Sequence, residues 1–215
     1  MAAGSRAEIL GKLRAAVPRH AASLAPQGTG FRVAPAADAA EISVRFAERL
    51  AAARGTLERV GPLAGVPGAV ARYLADQSLP ARLNVAPELR PLLDFSDGAL
   101  AIDEALPIAD GRAVLAGCIA GVAETGTLVV VSGPEHDPRL NYLAETLIVL
   151  VGAGQLVEAY EDVWKRLGVP GNGIAPRLVS FITGPSRTAD IEQTIEWGAH
   201  GPRRVHVLIS DETPT

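Results

Sequence analysis

A turn-forming segment near the C-terminus, "GPSRTAD" at residues 184–190, gathers side chains that are suited to holding an anion. It follows a predicted strand, "RLVSFITG", and precedes a predicted helix, "TADIEQTIEW". Ser186 or Thr188 would cap that helix, and its free N–H groups together with Arg187 would bind a carboxylate or phosphate. Capping explains the hydroxyls but needs no arginine, so Arg187 favours anion binding. Asp190 partly neutralises the site, or orients Arg187 or a ligand hydroxyl. Gly184 and Pro185 turn the chain at the carboxyl end of a strand, where open α/β sheets bind ligands.

A second polar segment, "AETGT" at residues 123–127, interrupts two apolar runs. Glu124, if partly buried, is a candidate general acid or base flanked by the hydroxyls of Thr125 and Thr127. The alternative is a simple hairpin turn through Gly126.

Two histidines stand in polar loops. His200 and Gly201 belong to "GAHGP", and a ten-residue helix, about 15 Å long, would separate His200 from Ser186. We therefore expect His200 to be structural or to serve another surface, such as a dimer contact. His136 precedes Asp137 in "PEHDPRLN" and is expected to be a loop histidine, with metal chemistry only if ligands arrive from elsewhere.

The elements around these segments alternate between strands and helices. Continuous Val, Leu and Ile runs such as "ETLIVLVGAG" predict strands that are covered on both faces, and "GQLVEAYEDVWKRLG" predicts a long amphipathic helix. The fold class is therefore α/β, with a largely parallel sheet sandwiched by helices. We expect two parts: an N-terminal helical segment and linker over residues 1–55, with helices at 5–17 and 40–55, and an α/β domain over residues 56–215. The helical segment is a candidate oligomer contact.

Composition limits the function. A net charge of −4 and a pI of about 5.6 disfavour nucleic acid and anionic membranes as partners. No apolar run is long enough to span a bilayer and no signal peptide is apparent, so a soluble cytoplasmic protein is expected. The single cysteine, Cys118, cannot by itself ligate an iron–sulfur cluster. Its apolar neighbours predict a buried, inert thiol.

Three motifs in this order, "AETGTLVVVS", "ITGPSRTADIE" and "GAHGPRRVHVLI", resemble the LUD domain and in particular the lactate-utilisation protein C family. The resemblance covers about residues 112–210. It implies an α/β fold similar to ribose-5-phosphate isomerase and CoA transferases, and a role in oxidising L-lactate to pyruvate beside iron–sulfur subunits. No cofactor would then be bound by this chain alone. The site residues it implies are those of the motifs: Glu124, Thr125, Gly126, Thr127, Gly184, Pro185, Ser186, Arg187, Thr188, Asp190, His200 and Gly201.

The chain departs from the family pattern at three places. Ile119 stands where an acidic residue is expected, and Ala144 and Thr146 stand where Pro and His are frequent. Three functions remain open at this point. They are an accessory subunit that binds a small anion or a partner, a free-standing isomerase- or transferase-like enzyme that uses Glu124 and Arg187, and a non-catalytic interaction protein.

Overall fold

The computed structural model describes residues 8, 11–12, 38–103, 112–134, 136–168, 176–189 and 195–214. Its strands within these ranges are β1 (Thr56–Gly61), β2 (Arg82–Val85), β3 (Ala101–Asp103), β4 (Ala113–Gly117), β5 (Ala120–Val122), β6 (Thr127–Val131), β7 (Thr146–Gly152), β8 (Leu156–Val157), β9 (Val179–Ile182), β10 (Arg187–Ala189), β11 (Ile195–Trp197) and β12 (Arg204–Ser210). Its α-helices are α1 (Ala39–Ala52), α2 (Val66–Asp76), α3 (Arg139–Leu143) and α4 (Tyr160–Arg166), with 3₁₀ helices at Leu63–Gly65, Pro87–Leu92 and Ala153–Gln155.

A six-stranded sheet forms the centre of the fold, in the order β1-β12-β7-β4-β2-β3. Every neighbouring pair in it is parallel. Strand β7 is buried along its whole length. Its alternate residues point to opposite faces: Leu147 and Val149 join one apolar core, and Ile148 and Leu150 join the other. The predicted α/β architecture with a parallel sheet is therefore confirmed.

Helices cover the two faces of this sheet. Helix α1 begins after Asp38, whose carboxylate accepts the Glu41 N–H, and it buries Phe46 and Leu50 in the first core. Helix α2 packs Val70 and Leu74 into the second core. Full burial of a Leu or Phe side chain contributes about 1.5–3 kcal/mol, so these helices are held mainly by their apolar faces.

A smaller four-stranded sheet, in the order β8-β5-β6-β9, lies beside the first core. The chain passes into it from the central sheet at Cys118–Ile119, between β4 and β5. Strands β5 and β6 are antiparallel, and β6 and β9 are antiparallel as well. The polar segment "AETGT" is thus the loop of a hairpin, and β9, which precedes "GPSRTAD", belongs to this sheet and not to the parallel one. The expected position at the carboxyl end of a parallel strand was wrong.

The predicted helix over "TADIEQTIEW" was also wrong. Its described residues form two antiparallel strands, β10 and β11, in which Ala189 pairs with Ile195. The apolar spacing of so short a stretch fits either element, and its β-branched residues favour a strand. Ser186, Arg187 and Thr188 therefore do not stand at the N-terminus of a helix.

The helix predicted over "GQLVEAYEDVWKRLG" is much shorter than expected. Leu156 and Val157 form β8, which pairs with Gly121 and Val122 of β5, and α4 starts only at Tyr160. Pairing with the hairpin overrides the helical pattern of the first six residues. Gly168 ends the helical turn with a positive φ of 68°, as predicted.

The chain splits into residues 1–32 and one compact unit over residues 33–215. Helix α1, assigned from the sequence to the N-terminal segment, belongs to the larger unit because Phe46 and Leu50 complete its first core. The predicted helix at 5–17 is described only at residues 8, 11 and 12, which are helical, and the linker at 18–37 lies outside the described residues. Within the described ranges, no helix has both the length and the apolar character needed to cross a membrane.

Candidate functional site

A cluster of hydroxyl groups joins two of the sequence motifs. The Thr127 hydroxyl, fully buried, lies 2.7 Å from that of Thr125 and 2.6 Å from that of Thr183. The Tyr160 hydroxyl is 2.9 Å from both Thr125 and Thr127. We call these four residues the hydroxyl cluster. It ties the hairpin loop, the strand end before Gly184 and helix α4 into one unit.

Two motif glycines allow the same turns to approach helix α1. Gly126 and Gly184 have positive φ values of 69° and 77°. A Cβ atom at Gly126 would overlap the backbone of Leu50, and one at Gly184 would overlap the carbonyl oxygen of Ala53. Only glycine fits both the backbone conformation and the space. The role of these two residues is therefore close packing against the end of α1.

The "GPS" and "GAHGP" loops lie side by side. The Ser186 N–H donates to the Pro202 carbonyl (2.8 Å), and the Gly198 N–H donates to the Ser186 carbonyl (3.0 Å). A Cβ atom built on Gly201 would lie 3.3 Å from Ser186 Cβ. The expected separation of the His200 loop from Ser186 was therefore wrong. A hairpin returns the chain to its starting point, whereas a helix would have carried it away.

A cleft of about 480 Å³ lies at the amino ends of β7 and β12, and we call it the amino-edge cleft. Its charged groups are Glu145 and Arg203, beside the imidazole of His200. The remaining lining residues are Tyr142, Leu143, Ala144, Gly198, Ala199 and Gly201.

The charges at this cleft do not cancel. Glu145 is paired with Arg204 at 3.2 Å. Arg203 is exposed, the stem of its side chain packs on Gly198, and it makes no ion pair with any residue in the described part of the chain. Within the described part of the chain, the Arg203 guanidinium therefore faces the cleft without a counterion, next to the exposed His200.

The other predicted site residues are dispersed. Glu124 is half-buried, its backbone N–H donates to the Glu158 carbonyl (3.0 Å), and it lines neither cleft described here. Pro185 is buried, and Arg187 is exposed in β10 opposite Trp197. Thr188 is described only as a strand residue, and Asp190 lies outside the described residues.

The three departures from the family pattern also have places in the structure. Ala144 lines the amino-edge cleft. Thr146, the first residue of β7, is buried, and its hydroxyl has no hydrogen-bond partner among the described residues. Ile119 lines a second cleft.

That second cleft, of about 530 Å³, lies at the carboxyl ends of β2, β4 and β7, and we call it the carboxyl-edge cleft. Its polar members are Glu88, His136, Gln155, Arg166 and Thr213. The other lining residues are Leu89, Gly117, Cys118, Ile119, Val130, Val131, Gly154, Leu167 and Pro214.

A buried polar triad stands in the wall of the carboxyl-edge cleft. His136 Nδ1 is 2.7 Å from Glu88 Oε1, and His136 Nε2 is 3.1 Å from the amide nitrogen of Asn141. This network fits a neutral imidazole that donates from Nδ1 to the carboxylate and accepts at Nε2 from the amide. His136 lies in a loop, as expected, but its side chain is only 8% exposed and that of Asn141 1%.

The sequence analysis did not identify Glu88. Its partner lies 48 residues away along the chain, so no local spacing joins the two. One signal was present: Glu88 follows a short buried strand, β2, and ligand-binding groups of α/β sheets stand at such ends. Among the described residues, no group of three or more His, Cys, Asp or Glu side chains could hold a metal ion.

Cys118 lines the carboxyl-edge cleft, but its thiol is unreactive at neutral pH. Burial raises the pKa of its thiol to about 12, which the nearby charge of Arg166 only partly offsets. The thiol is therefore protonated at neutral pH, as the sequence predicted for a buried cysteine.

The fold is that of an α/β protein with a parallel central sheet. Its residues 108–210 match the model of the LUD domain family. This match confirms the resemblance to the LUD domain that was drawn from the sequence.

The relatives match different lengths of this chain. An uncharacterized protein of Neisseria meningitidis serogroup B is 35% identical over 92 residues, and "Lactate utilization protein C" of Geobacillus kaustophilus is 31% identical over 93 residues. The matched segment is 43% and 42% of this chain, respectively, and spans 39% of each relative's length. "Lactate utilization protein C" of Deinococcus radiodurans is 27% identical over 79% of this chain and 80% of its own.

A solved structure shares the fold. The crystal structure of a DUF162 family protein from Deinococcus radiodurans superimposes with a TM-score of 0.58. The superposition covers 82% of this chain and 99% of that chain at 23% identity, so it supports the fold alone.

Proposed function

We propose that this protein takes part in lactate utilisation and binds a small carboxylate in the amino-edge cleft. The observation that carries the proposal is the guanidinium of Arg203, which faces this cleft and has no counterion among the described residues. Several relatives are named "Lactate utilization protein C", and these names support lactate utilisation as the process. L-Lactate and pyruvate are small carboxylates, so a single bidentate arginine and a few hydrogen bonds match their size.

The charges favour the amino-edge cleft over the carboxyl-edge cleft for such a ligand. In the amino-edge cleft, Glu145 is already paired with Arg204, so Arg203 is left to attract an anion. His200 offers an N–H within the same cleft. In the carboxyl-edge cleft, the Arg166 guanidinium already donates to three backbone carbonyls, and the carboxylate of Glu88 would repel an anion. The anion site is thus proposed at Arg203 and His200, and not at a helix N-terminus.

The redox step is assigned to partner chains. Oxidation of L-lactate to pyruvate removes two electrons and two protons, which an acceptor must take. A chain with one cysteine cannot supply the thiolates of an iron–sulfur cluster, and we place the clusters in partner subunits. This protein would then present or release the carboxylate. A cytoplasmic location and self-association belong to the same proposal, and the likeness to sugar-phosphate isomerases and CoA transferases stays a prediction.

Calorimetric titration tests the ligand. We expect saturable binding of L-lactate or pyruvate, and little or no binding of the neutral lactamide. Arg203→Gln should weaken binding about 10-fold or more, because a hydrogen bond to a charged group contributes about 1.5–3 kcal/mol. Arg72→Gln is the matched control, since Arg72 pairs with Glu58 away from the cleft. Equal affinity of the Arg203 and Arg72 variants, or no binding of either acid, would refute the site.

Growth tests the cellular role separately. Deletion of the gene should slow growth on L-lactate and leave growth on glucose unchanged. Affinity purification of the tagged chain should recover proteins with the absorption of iron–sulfur clusters. Normal growth of the deletion strain on L-lactate would contradict the assignment.

A further inference from the structure

We infer that the carboxyl-edge cleft is a second small-molecule site, shaped for an apolar molecule that ends in an amine or hydroxyl group. This site does not depend on the proposed function. Its volume of about 530 Å³ lies within the range of small-ligand pockets, roughly 300–1,000 Å³.

The cleft lies where the topology of the sheet reverses. Strands β2 and β4 are neighbours, yet the chain continues from β2 to β3 on one side and from β4 towards β7 on the other. The segments that follow β2 and β4 therefore diverge and leave a crevice at the carboxyl edge. Open parallel sheets bind their ligands at this point.

Two polar side chains of the wall, Arg166 and Gln155, already donate hydrogen bonds within the protein. The Arg166 guanidinium donates to the carbonyls of Ile119 (2.9 Å), Gln155 (3.1 Å) and Gly154 (2.9 Å). The Gln155 side chain donates to the Cys118 carbonyl (2.9 Å) and accepts the Gly152 N–H (2.7 Å). These groups fix the shape of the wall. An anion would find few donors there.

The Glu88 carboxylate, a hydrogen-bond acceptor in the wall, has one oxygen without a donor among the described residues. Glu88 Oε1 accepts from His136 Nδ1–H (2.7 Å) and from the Gly117 N–H (3.3 Å). Glu88 Oε2 is buried and has no hydrogen-bond partner among the described residues. A buried carboxylate oxygen without a donor costs free energy, about 1–3 kcal/mol or more. The amine or hydroxyl end of a ligand would supply that donor.

The carboxylate is also held in place. His136 binds Oε1, and Asn141 in turn binds the other ring nitrogen of His136 at 3.1 Å. Both nitrogens of the imidazole are therefore engaged, so His136 is a positioning residue for Glu88. The body of the ligand would contact the apolar wall, which includes Leu89, Ile119 and Leu167. Because Oε2 is shielded from solvent, the Glu88 carboxyl group would have to rotate to present it to the ligand, and the donating end must be small.

Three matched probes test this specificity: benzylamine, benzyl alcohol and benzoate. Methyl NMR spectra of the full chain should show saturable shifts at Ile119, Val130 and Leu167 with benzylamine and benzyl alcohol. Benzoate should not produce them. Glu88→Gln keeps the size of the side chain but can place an amide donor where the carboxylate accepts, and it should weaken benzylamine binding at least about 10-fold. Glu48→Gln, on the exposed face of helix α1, is the control and should have no effect.

Several results would overturn the inference. They are equal shifts with benzoate, no saturable shifts with any probe, or unchanged benzylamine affinity in Glu88→Gln. If Glu88→Gln fails to fold, Ile119→Phe serves in its place, because a larger side chain in the wall should abolish benzylamine binding. The two sites are separable: Arg203→Gln should not alter benzylamine binding, and Glu88→Gln should not alter lactate binding.

Discussion

The hydroxyl of Thr127 lies 2.6 Å from the hydroxyl of Thr183, although 56 residues separate them along the chain. Thr127 closes the "AETGT" segment and Thr183 immediately precedes "GPSR". Two motifs that were recognised separately in the sequence are therefore parts of one hydrogen-bonded cluster. That cluster supports the turns, whereas the chemistry proposed for the protein lies in the clefts at the two edges of the sheet.

The first prediction concerns this hydroxyl pair. Thr127→Val should destabilise the protein by about 1–3 kcal/mol, because it removes a buried hydroxyl that serves three partners. In a double-mutant cycle with Thr183→Val, the two effects should fall short of additivity by about 0.5 kcal/mol or more. Urea unfolding monitored by circular dichroism measures both. Strictly additive effects would show that the pair contributes no coupling.

The second prediction concerns the packing of the turns on helix α1. Gly126→Ala and Gly184→Ala should each cost well over the 1–2 kcal/mol of a left-handed backbone, because the added methyl group overlaps the backbone of α1. Gly98→Ala is the control: Gly98 has a φ of 71° and nothing within 4 Å of an added Cβ. Thermal unfolding should rank Gly98→Ala far above the other two in stability. Similar losses at all three positions would show that backbone conformation alone matters.

The third prediction concerns pH. Burial lowers the pKa of His206 from 6.5 to about 4, and its ring stacks on Tyr73 with centroids 3.9 Å apart. The unfolded chain takes up a proton near pH 6.5, whereas the folded chain resists it until about pH 4. Stability from this group should therefore be complete above about pH 6.5 and fall by about 3 kcal/mol as the pH drops to 4.

A substitution isolates this contribution from other titrating groups. His206→Gln should shrink the difference in unfolding free energy between pH 7 and pH 4.5, measured in guanidinium chloride. His200→Gln, which changes an exposed histidine, should leave that difference as it is in the unaltered protein. A wild-type pH dependence in His206→Gln would contradict the assignment.

The fourth prediction concerns Cys118. Because burial raises the pKa of its thiol from 9.0 to about 12, the reactive thiolate is about 1000-fold scarcer than in the unfolded chain at neutral pH. Iodoacetamide at pH 8 should label the native protein slowly and the guanidinium-denatured protein rapidly, as measured by mass spectrometry. Rapid labelling of the native protein would show that the cleft exposes a reactive thiolate.

The centre of the six-stranded sheet could be predicted from the sequence because its two middle strands, β4 and β7, are almost entirely apolar. The run Thr146–Gly152 is buried on both faces, and no other element of that length uses so many branched residues. Short segments with mixed patterns fit either a helix or a strand, so their sequence did not decide between the two. Leu156 and Val157 fit a helical stripe, but pairing with β5 makes them a strand. Ile195 and Trp197 fit a helix as well as the strand β11 that the structure shows.

The site was predictable in part. The motifs named Thr125, Thr127, Ser186 and Gly201 as candidates, and the structure places Thr125 beside Thr127 and Ser186 beside Gly201. His200 was expected far from Ser186 because the intervening segment was predicted to be a helix, whereas its described residues form two paired strands. Glu88 was missed because its partner is distant in sequence. Such a pair becomes visible only when the strand order is known.

The central sheet has a consequence for how the protein can be dissected. The LUD match begins at residue 108, yet both flanks of the sheet, β1 on one side and β2 with β3 on the other, come from earlier in the chain. A fragment that starts at residue 108 would leave β12 and β4 with open hydrogen-bonding edges and would lack Phe46, Leu50 and helix α2. Such a fragment should aggregate. The stretch that the domain family matches is thus shorter than the stretch that folds.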